Sequence, residues 1–199
     1  MKVQYRIART DDLDVLADLM ELSSGGIIEF LLDGLFANTP RKEVIKLALG
    51  EPESTLYYEN YLVAEIDGAV IGAANFYPAH EHGVPEIMRA FIPKERIEHL
   101  SSYVNSRVEN SLYIHTLSVF PSHRFSAAGL GLFKCCEKIA AEMGCHCLSA
   151  HVWKDNLPVV SALKRGGFEE VEEIDVQPHE LLPHTGGMVL MRGQELKER

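Results

Sequence analysis

Long apolar runs are missing from this chain. No stretch approaches the roughly 18 residues needed to cross a bilayer, so no membrane-spanning helix and no membrane partner are expected. The opening residues, MKVQYRIARTDD, lack an apolar h-region. No secretory signal is therefore expected, and the cytoplasm is the expected location. Positive charge is scarce: 19 Lys and Arg stand against 29 Asp and Glu, a formal net charge of −10. Such a field repels phosphate backbones, which argues against a nucleic-acid partner, and draws in cationic or amine ligands. Cysteine is limited to Cys135, Cys136, Cys145 and Cys147, crowded into one short stretch. That spacing matches neither a disulfide framework nor a zinc-type pair, so reduced and mostly buried thiols are expected. The histidines do not compensate. His80 and His82 flank Glu81 in a polar loop with no further ligand at helical or hairpin spacing, and no metal site is expected.

What remains is an ordinary globular composition, 46% apolar and 24% charged over 199 residues. It implies one domain, residues 1–199, without repeats or low-complexity segments. Val3 to Ala8 alternates as a strand. Thr10-Asp11-Asp12 offers cap chemistry for a helix burying Leu13, Leu16, Ala17 and Met20, which Gly25-Gly26 breaks. Ile28, Leu31, Leu32 and Leu35 mark a second short helix. Thr39-Pro40 places a first-turn proline before a third, with Val44, Leu47 and Ala48 inward. Tyr61 to Ile66 and Ala69 to Tyr77 are strands joined by Asp67-Gly68, a hairpin signal. A long excursion follows, about 79–111, in which Ile97, Leu100, Val104 and Val108 share one helical face. Leu112 to Val119 is a strand. Gly129 to Met143 is an amphipathic helix closed by Gly144. Cys147 to Trp153 is a strand and Pro158 to Arg165 a helix; Phe168 to Ile174 and Met188 to Arg192 close the chain as strands. The order predicts a mixed sheet with helices on its faces.

The most informative stretch runs Leu117-Ser118-Val119-Phe120-Pro121-Ser122-His123-Arg124-Phe125-Ser126-Ala127-Ala128-Gly129-Leu130-Gly131-Leu132. A strand enters a turn, then small residues, then a helix. The first turn of a helix leaves backbone N–H groups without partners, and these suit a phosphate or diphosphate. Ala and Gly there permit close approach of a ligand to the backbone. A tight turn into the helix explains Gly129-Leu130-Gly131 equally well. The Walker A form is excluded for want of Gly-Lys-Ser/Thr, and the dinucleotide fingerprint lacks its third glycine.

A second segment joins it: Leu148-Ala150-Val152 on a strand, then Asn156, then a helix ending Lys164-Arg165-Gly166-Gly167-Phe168. Together the two segments resemble the GNAT superfamily of acyl-CoA-dependent N-acyltransferases. In that pattern a strand ends V-x-P, an Arg and a Q/R-x-x-G-x-G/A loop open a helix, and a further strand leads to Asn and a helix closing in Gly-Phe. The resemblance spans Val3 to about Arg192. Gly25-Gly26, the long excursion and Gly186-Gly187-Met188-Val189-Leu190-Met191 look like a bacterial branch. It implies an α/β (α+β) fold: a mostly antiparallel mixed sheet of about six to seven strands, splayed at its central parallel pair, with helices on both faces. It implies acetyl-CoA as co-substrate and transfer of its acetyl group to a primary amine of a small molecule or peptide. Backbone groups of Leu117, Ser118 and Val119 would meet the pantetheine arm. Arg124, Ser126, Ala127, Ala128, Gly129, Leu130, Gly131 and Leu132 would form the diphosphate cradle, and Asn156 would bond the pantetheine amides or cap its helix.

Two departures from the family pattern stand out. The loop between Arg124 and Gly129 is longer than the usual form, with Ser126 where Gln or Arg is expected; a serine hydroxyl still bonds phosphate but with less reach. Leu163 falls where many members carry the tyrosine that protonates the leaving thiolate. Amide formation needs a neutral amine and a route for its proton, a donor for the thioester oxygen, and positioning. His115, where members often place a glutamate before L-x-V, is the candidate base, and its ordinary pKa near 6.5 suits neutral pH. A sheet histidine bonding a neighbour is the competing reading. His151 is expected to be a packed residue, and His179 and His184 solvated. Glu29, Asp33, Tyr57 and Tyr58 are available for the unidentified amine acceptor. The rival to an enzyme is a non-catalytic acyl-CoA-binding or regulatory module, motivated by Leu163 and Ser126. A homodimer is compatible with either.

Overall fold

The computed structural model describes residues 2–36, 38–124 and 126–196, with the side chain of Ile87 also outside the description. Strand β1 (Gln4–Ile7) leads through a 3-10 turn (Thr10–Asp12) into helix α1 (Leu13–Ser23). Helices α2 (Ile27–Leu32) and α3 (Arg41–Leu49) follow, then strands β2 (Tyr61–Ile66) and β3 (Ala69–Pro78). The excursion contains α4 (Glu86–Arg89), α5 (Lys94–His99) and α6 (Ser101–Asn105). Then come β4 (Ser111–Val119), α7 (Ala128–Glu142), β5 (Cys147–Trp153), α8 (Leu157–Arg165), β6 (Glu169–Ile174) and β7 (Met188–Arg192). The strands form a seven-stranded sheet in the order β1-β2-β3-β4-β5-β7-β6. All neighbours are antiparallel except β4 and β5.

Alternation along the strands sorts the core. Leu112 and Ile114 of β4, Leu148, Ala150 and Val152 of β5, and Val189 and Met191 of β7 face Leu132, Cys136 and Ala140 of α7 and Val160 of α8. The opposite face carries Tyr61, Val63 and Ala73 against α1 and α3. Further along that face, Trp153, Met188 and Leu190 meet Phe30, Leu100 and Tyr103. The Asp67-Gly68 turn has both residues at positive φ, 51° and 82°, as a tight two-residue hairpin requires.

Three local expectations are corrected. Pro40 is the cap of α3, not its first turn. Leu47 is 73% exposed, because α3 buries Val44, Ile45, Ala48 and Leu49, a stripe rotated by one residue. The helical face through Ile97, Leu100, Val104 and Val108 is cut in two. Leu100 leaves helical geometry at φ −98°, ψ 14°, and Ser106 is extended, which ends α6 before Val108.

Helix α7 lies against β1 through Tyr5, whose hydroxyl donates to the Ala127 carbonyl at 3.4 Å. A Cβ on Gly131 would stand 1.8 Å from the Tyr5 hydroxyl oxygen. The glycine therefore makes room for the Tyr5 ring, which any Cβ there would displace. Helix propensity favours Ala over Gly by about 1 kcal/mol, so the two effects oppose each other. In a Tyr5→Ala background, Gly131→Ala should stabilise the fold by about 0.5–1 kcal/mol. In the parent it should be neutral or destabilising. A double-mutant cycle by urea denaturation, with a coupling of about 1 kcal/mol or more, checks this; additivity would show that Tyr5 does not restrict the site.

Candidate active site

Parallel pairing of β4 with β5 extends over three positions, Ser111↔Cys147, Leu112↔Leu148 and Tyr113↔Ser149. Beyond Tyr113 the strands part. β5 continues against β7, while Ile114 to Val119 keep β3 on one side and have no strand on the other among the described residues. The polar backbone edge of Leu117, Ser118 and Val119 is thus left unpaired by β5, as the resemblance implied. Their side chains have other tasks. Leu117 and Val119 pack toward α7, where a Cβ on Gly129 would lie 3.8–3.9 Å from them. Ser118 Oγ donates to the Leu19 carbonyl at 2.9 Å, tying β4 to α1.

The N-terminus of α7 opens beside this edge. No side chain caps Ala127. Ser126 Oγ accepts from the Ala128 N–H at 3.3 Å, leaving the serine proton free to donate. The Gly131 N–H is spent on the Ala127 carbonyl at 2.9 Å, and Leu132 is fully buried, so these two residues hold the helix. The amides of Ala127, Gly129 and Leu130 have no protein acceptor among the described residues. Such donors, with the positive end of a four-turn helix behind them, fit a diphosphate. Arg124 is exposed and makes no ion pair among the described residues. Asn156 is the N-cap of α8, yet its side chain makes no capping bond. Capping therefore does not account for that amide. Leu163 packs against the core.

His115 sits at a β-bulge. Register jumps from Asn75↔Thr116 to Phe76↔Ile114, so His115 is the extra residue. A bulge re-aims a side chain, and here it turns the ring onto the face opposite α7. Asn75, fully buried, fixes its tautomer. Both Asn75 Nδ2 hydrogens are committed, to the Thr55 and Asn60 carbonyls at 3.1 Å each. Asn75 Oδ1 must then accept from His115 Nδ1–H, at 3.1 Å. Nε2 keeps its lone pair. Every buried side-chain nitrogen and oxygen among the described residues has a partner, so the unpartnered Nε2 opens onto free space. That space is an apolar cleft of about 730 Å³, counting its open mouth, walled by Met20, Ile28, Leu31, Leu56, Met88 and Val104 among others. Burial, and the nearby His82, push the His115 pKa down to about 3. The expectation of an ordinary value near 6.5 is corrected, because the ring lies too deep for its cation to be hydrated.

Behind His115 lies a polar chain that local sequence patterns did not reveal. His82 is buried, not in a solvated loop. Its Nε2–H donates to the Tyr103 carbonyl at 3.1 Å, so its Nδ1 accepts from the Tyr77 hydroxyl at 3.2 Å. Ser106 Oγ donates to the same carbonyl at 3.2 Å and accepts from His151 Nε2–H at 2.7 Å. His151 Nδ1 in turn accepts from the Tyr113 hydroxyl at 2.8 Å. His82 and His151 stack at 5.2 Å. Burial lowers His82 to about 4 and His151 well below the usual range. His184 and His179 are also half-buried, not solvated. His184 stacks on Trp153 at 5.1 Å and bonds Asp155, and His179 meets Phe30 edge-on at 4.7 Å. The one available signal was Asn75, a polar residue inside the apolar strand Ala69–Pro78.

Glu29, Asp33, Tyr57 and Tyr58 do not line the cleft. Glu29 pairs with Arg41 at 3.3 Å. Tyr57 donates to the Tyr58 hydroxyl at 3.3 Å. Asp33 is exposed. The four cysteines are free thiols, and burial raises Cys136 to about 12. Among the described residues no three His, Cys, Asp or Glu side chains gather as a metal site, and no helix is long and apolar enough to cross a membrane.

A model of the acetyltransferase (GNAT) family matches residues 37–168, across the bulge, the splay and the α7 loop. The chain belongs to the GNAT acetyltransferase family. N-acetyl transfer is the activity of that family. Solved GNAT structures share the fold. An acetyltransferase aligns over 98% of this chain and 100% of its own, with TM-score 0.71 and 21% identity. An N-acetyltransferase from Staphylococcus aureus Mu50 covers 95% and 99%, with TM-score 0.67 and 18% identity. The PaiA N-acetyltransferase from Thermoplasma acidophilum, solved in complex with coenzyme A, covers 98% and 99%, with TM-score 0.56 and 16% identity. Among curated proteins, none matches the sequence.

The buried histidines make stability depend on pH. Each folded pKa lies below the unfolded value of about 6.5, so their contribution is whole above that pH. It is lost as pH falls, toward about 4 for His82 and about 3 for His115. Within that window each costs about 1.4 kcal/mol per pH unit, or about 4 for the three. Urea denaturation at pH 7.5, 6 and 5 should show this loss, and His82→Gln should reduce the slope by one proton. An unchanged slope would mean that His82 is already protonated in the folded protein.

Proposed function

We propose that residues 1–199 form one cytoplasmic N-acetyltransferase domain that moves the acetyl group of acetyl-CoA to a primary amine by direct attack. The observation that carries this reading is that one strand, β4, holds both the open edge of Leu117 to Val119 beside the free α7 amides and, at its bulge, the unpartnered His115 Nε2 on the other face. In this reading the backbone of Leu117, Ser118 and Val119 holds the pantetheine arm, with the Asn156 amide beside it. The amides of Ala127, Gly129 and Leu130, the Ser126 hydroxyl and the Arg124 guanidinium hold the diphosphate.

The amine nitrogen forms a bond to the thioester carbon as the carbon–sulfur bond breaks. One proton leaves nitrogen and one is needed by sulfur. An apolar cleft favours the neutral amine over its ammonium form, and His115 Nε2 accepts the N–H. With its pKa near 3, the ring is neutral at every physiological pH and holds a proton only briefly. Its protonated form is a strong acid. That matters because Leu163 brings no hydroxyl to the thiolate, so one imidazole serves both the nitrogen and the sulfur.

His115→Ala should lower kcat by about tenfold or more, a modest effect for a base so far below the working pH, while calorimetry shows acetyl-CoA affinity unchanged. The parent's kcat/KM should rise with pH as free amine deprotonates, with no inflection near 6.5. A loss under about threefold, or an acid limb at 6.5, would remove His115 from this role. Absence of acetyl-CoA binding by the parent would end the transferase reading itself.

A further inference from the structure

The walls of the cleft hold information that the family does not. Among the described residues its lining includes no Asp, Glu, Lys or Arg, in a chain carrying 29 acidic side chains. Its polar residues are Thr55, Tyr77, Tyr103 and His115. The Tyr77 hydroxyl is spent on His82, and the carbonyls of Thr55 and Tyr103 are spent on Asn75 and Asn60 and on His82 and Ser106. His115 Nε2 is left as a ring-nitrogen acceptor, with the uncharged hydroxyls of Thr55 and Tyr103 as the other polar groups without a protein partner among the described residues. The apolar lining includes Met20, Ile28, Leu31, Leu56, Met88 and Val104. The cleft thus offers a hydrogen bond for one amine head and apolar contact for whatever the head carries. A second charge on that body would be buried without a partner, which is heavily disfavoured.

Resting on the transferase reading above, we propose that the acceptor is a primary amine with an uncharged aliphatic body, not a polyamine or an amino acid. The acidic exterior draws the ammonium form toward the protein. The cleft selects the monoamine by refusing a charge on its tail.

The test is a matched set at constant length: n-butylamine, 1,4-diaminobutane and 4-aminobutanoate, each with acetyl-CoA, following release of free thiol. The kcat/KM for n-butylamine should exceed the other two by about 100-fold or more. Met88→Glu, which sets a carboxylate on the wall, should shrink the gap between n-butylamine and the diamine at least tenfold and leave the KM for acetyl-CoA unmoved. If that variant fails to fold, the parent comparison decides alone. Equal or better use of the diamine or the amino acid overturns the proposal. So does a preference that follows acyl length, with hexanoyl-CoA favoured and n-butylamine no better than methylamine. No thiol release from any of the three also overturns it. A parallel calorimetric titration with acetyl-CoA then separates the cases: binding leaves the transferase reading standing, and no binding removes both.

Discussion

Strands β4 and β5 run side by side for three residues and then part. That parting is the constraint on which the site depends. A parallel pair held together to its end would spend the edge of Leu117 to Val119 on ladder hydrogen bonds. Once β5 diverges toward β7, those groups face open space beside the first turn of α7. The bulge at His115 acts at the same place. By adding one residue to β4 opposite β3, it turns an imidazole out of the α7 side of the sheet and over the apolar cleft. Open edge and imidazole are therefore both set on β4 by backbone geometry before any ligand is considered.

Rigidity around this point comes from hydrogen bonds with no slack. Asn75 spends both amide hydrogens on carbonyls and its oxygen on His115. The Tyr103 carbonyl accepts from His82, from the Ser106 hydroxyl and, at 3.4 Å, from the Ser106 N–H. A buried polar chain satisfied throughout fixes tautomers and ring orientations, and an unsatisfied member would be costly. The same burial keeps all three rings neutral. The imidazole at the cleft is therefore a permanent lone-pair donor, whose chemistry does not switch off as pH drifts through neutrality.

Charge and chemistry are separated in space. Apart from Asp12, buried against Arg6, the carboxylates lie away from the interior, many in surface pairs such as Lys42–Asp18 at 2.7 Å and Lys154–Glu173 at 2.6 Å. The cleft wall is apolar. Net charge thus describes the approach of a ligand and says little about the ligand's fit. This is why Glu29 and Asp33, attractive on charge alone, turn out to be surface residues.

The element order was legible in the amino-acid sequence, because periodicity, Asp67-Gly68 and Gly144 are local signals with local causes, while the parallel pair at the centre of the sheet was reached only through the family resemblance. The α7 loop and Asn156 entered as a resemblance for the same reason, since the pattern that carries it runs through consecutive residues. Gly131 shows the limit. Its spacing pointed to a ligand, while Tyr5, 126 positions earlier, explains it by contact. The His82–His151–Tyr103 chain, the tautomer of His115 and the uncharged cleft join residues tens of positions apart. Only tertiary structure decided them, because desolvation and hydrogen-bond partners are set by what the fold packs around a side chain.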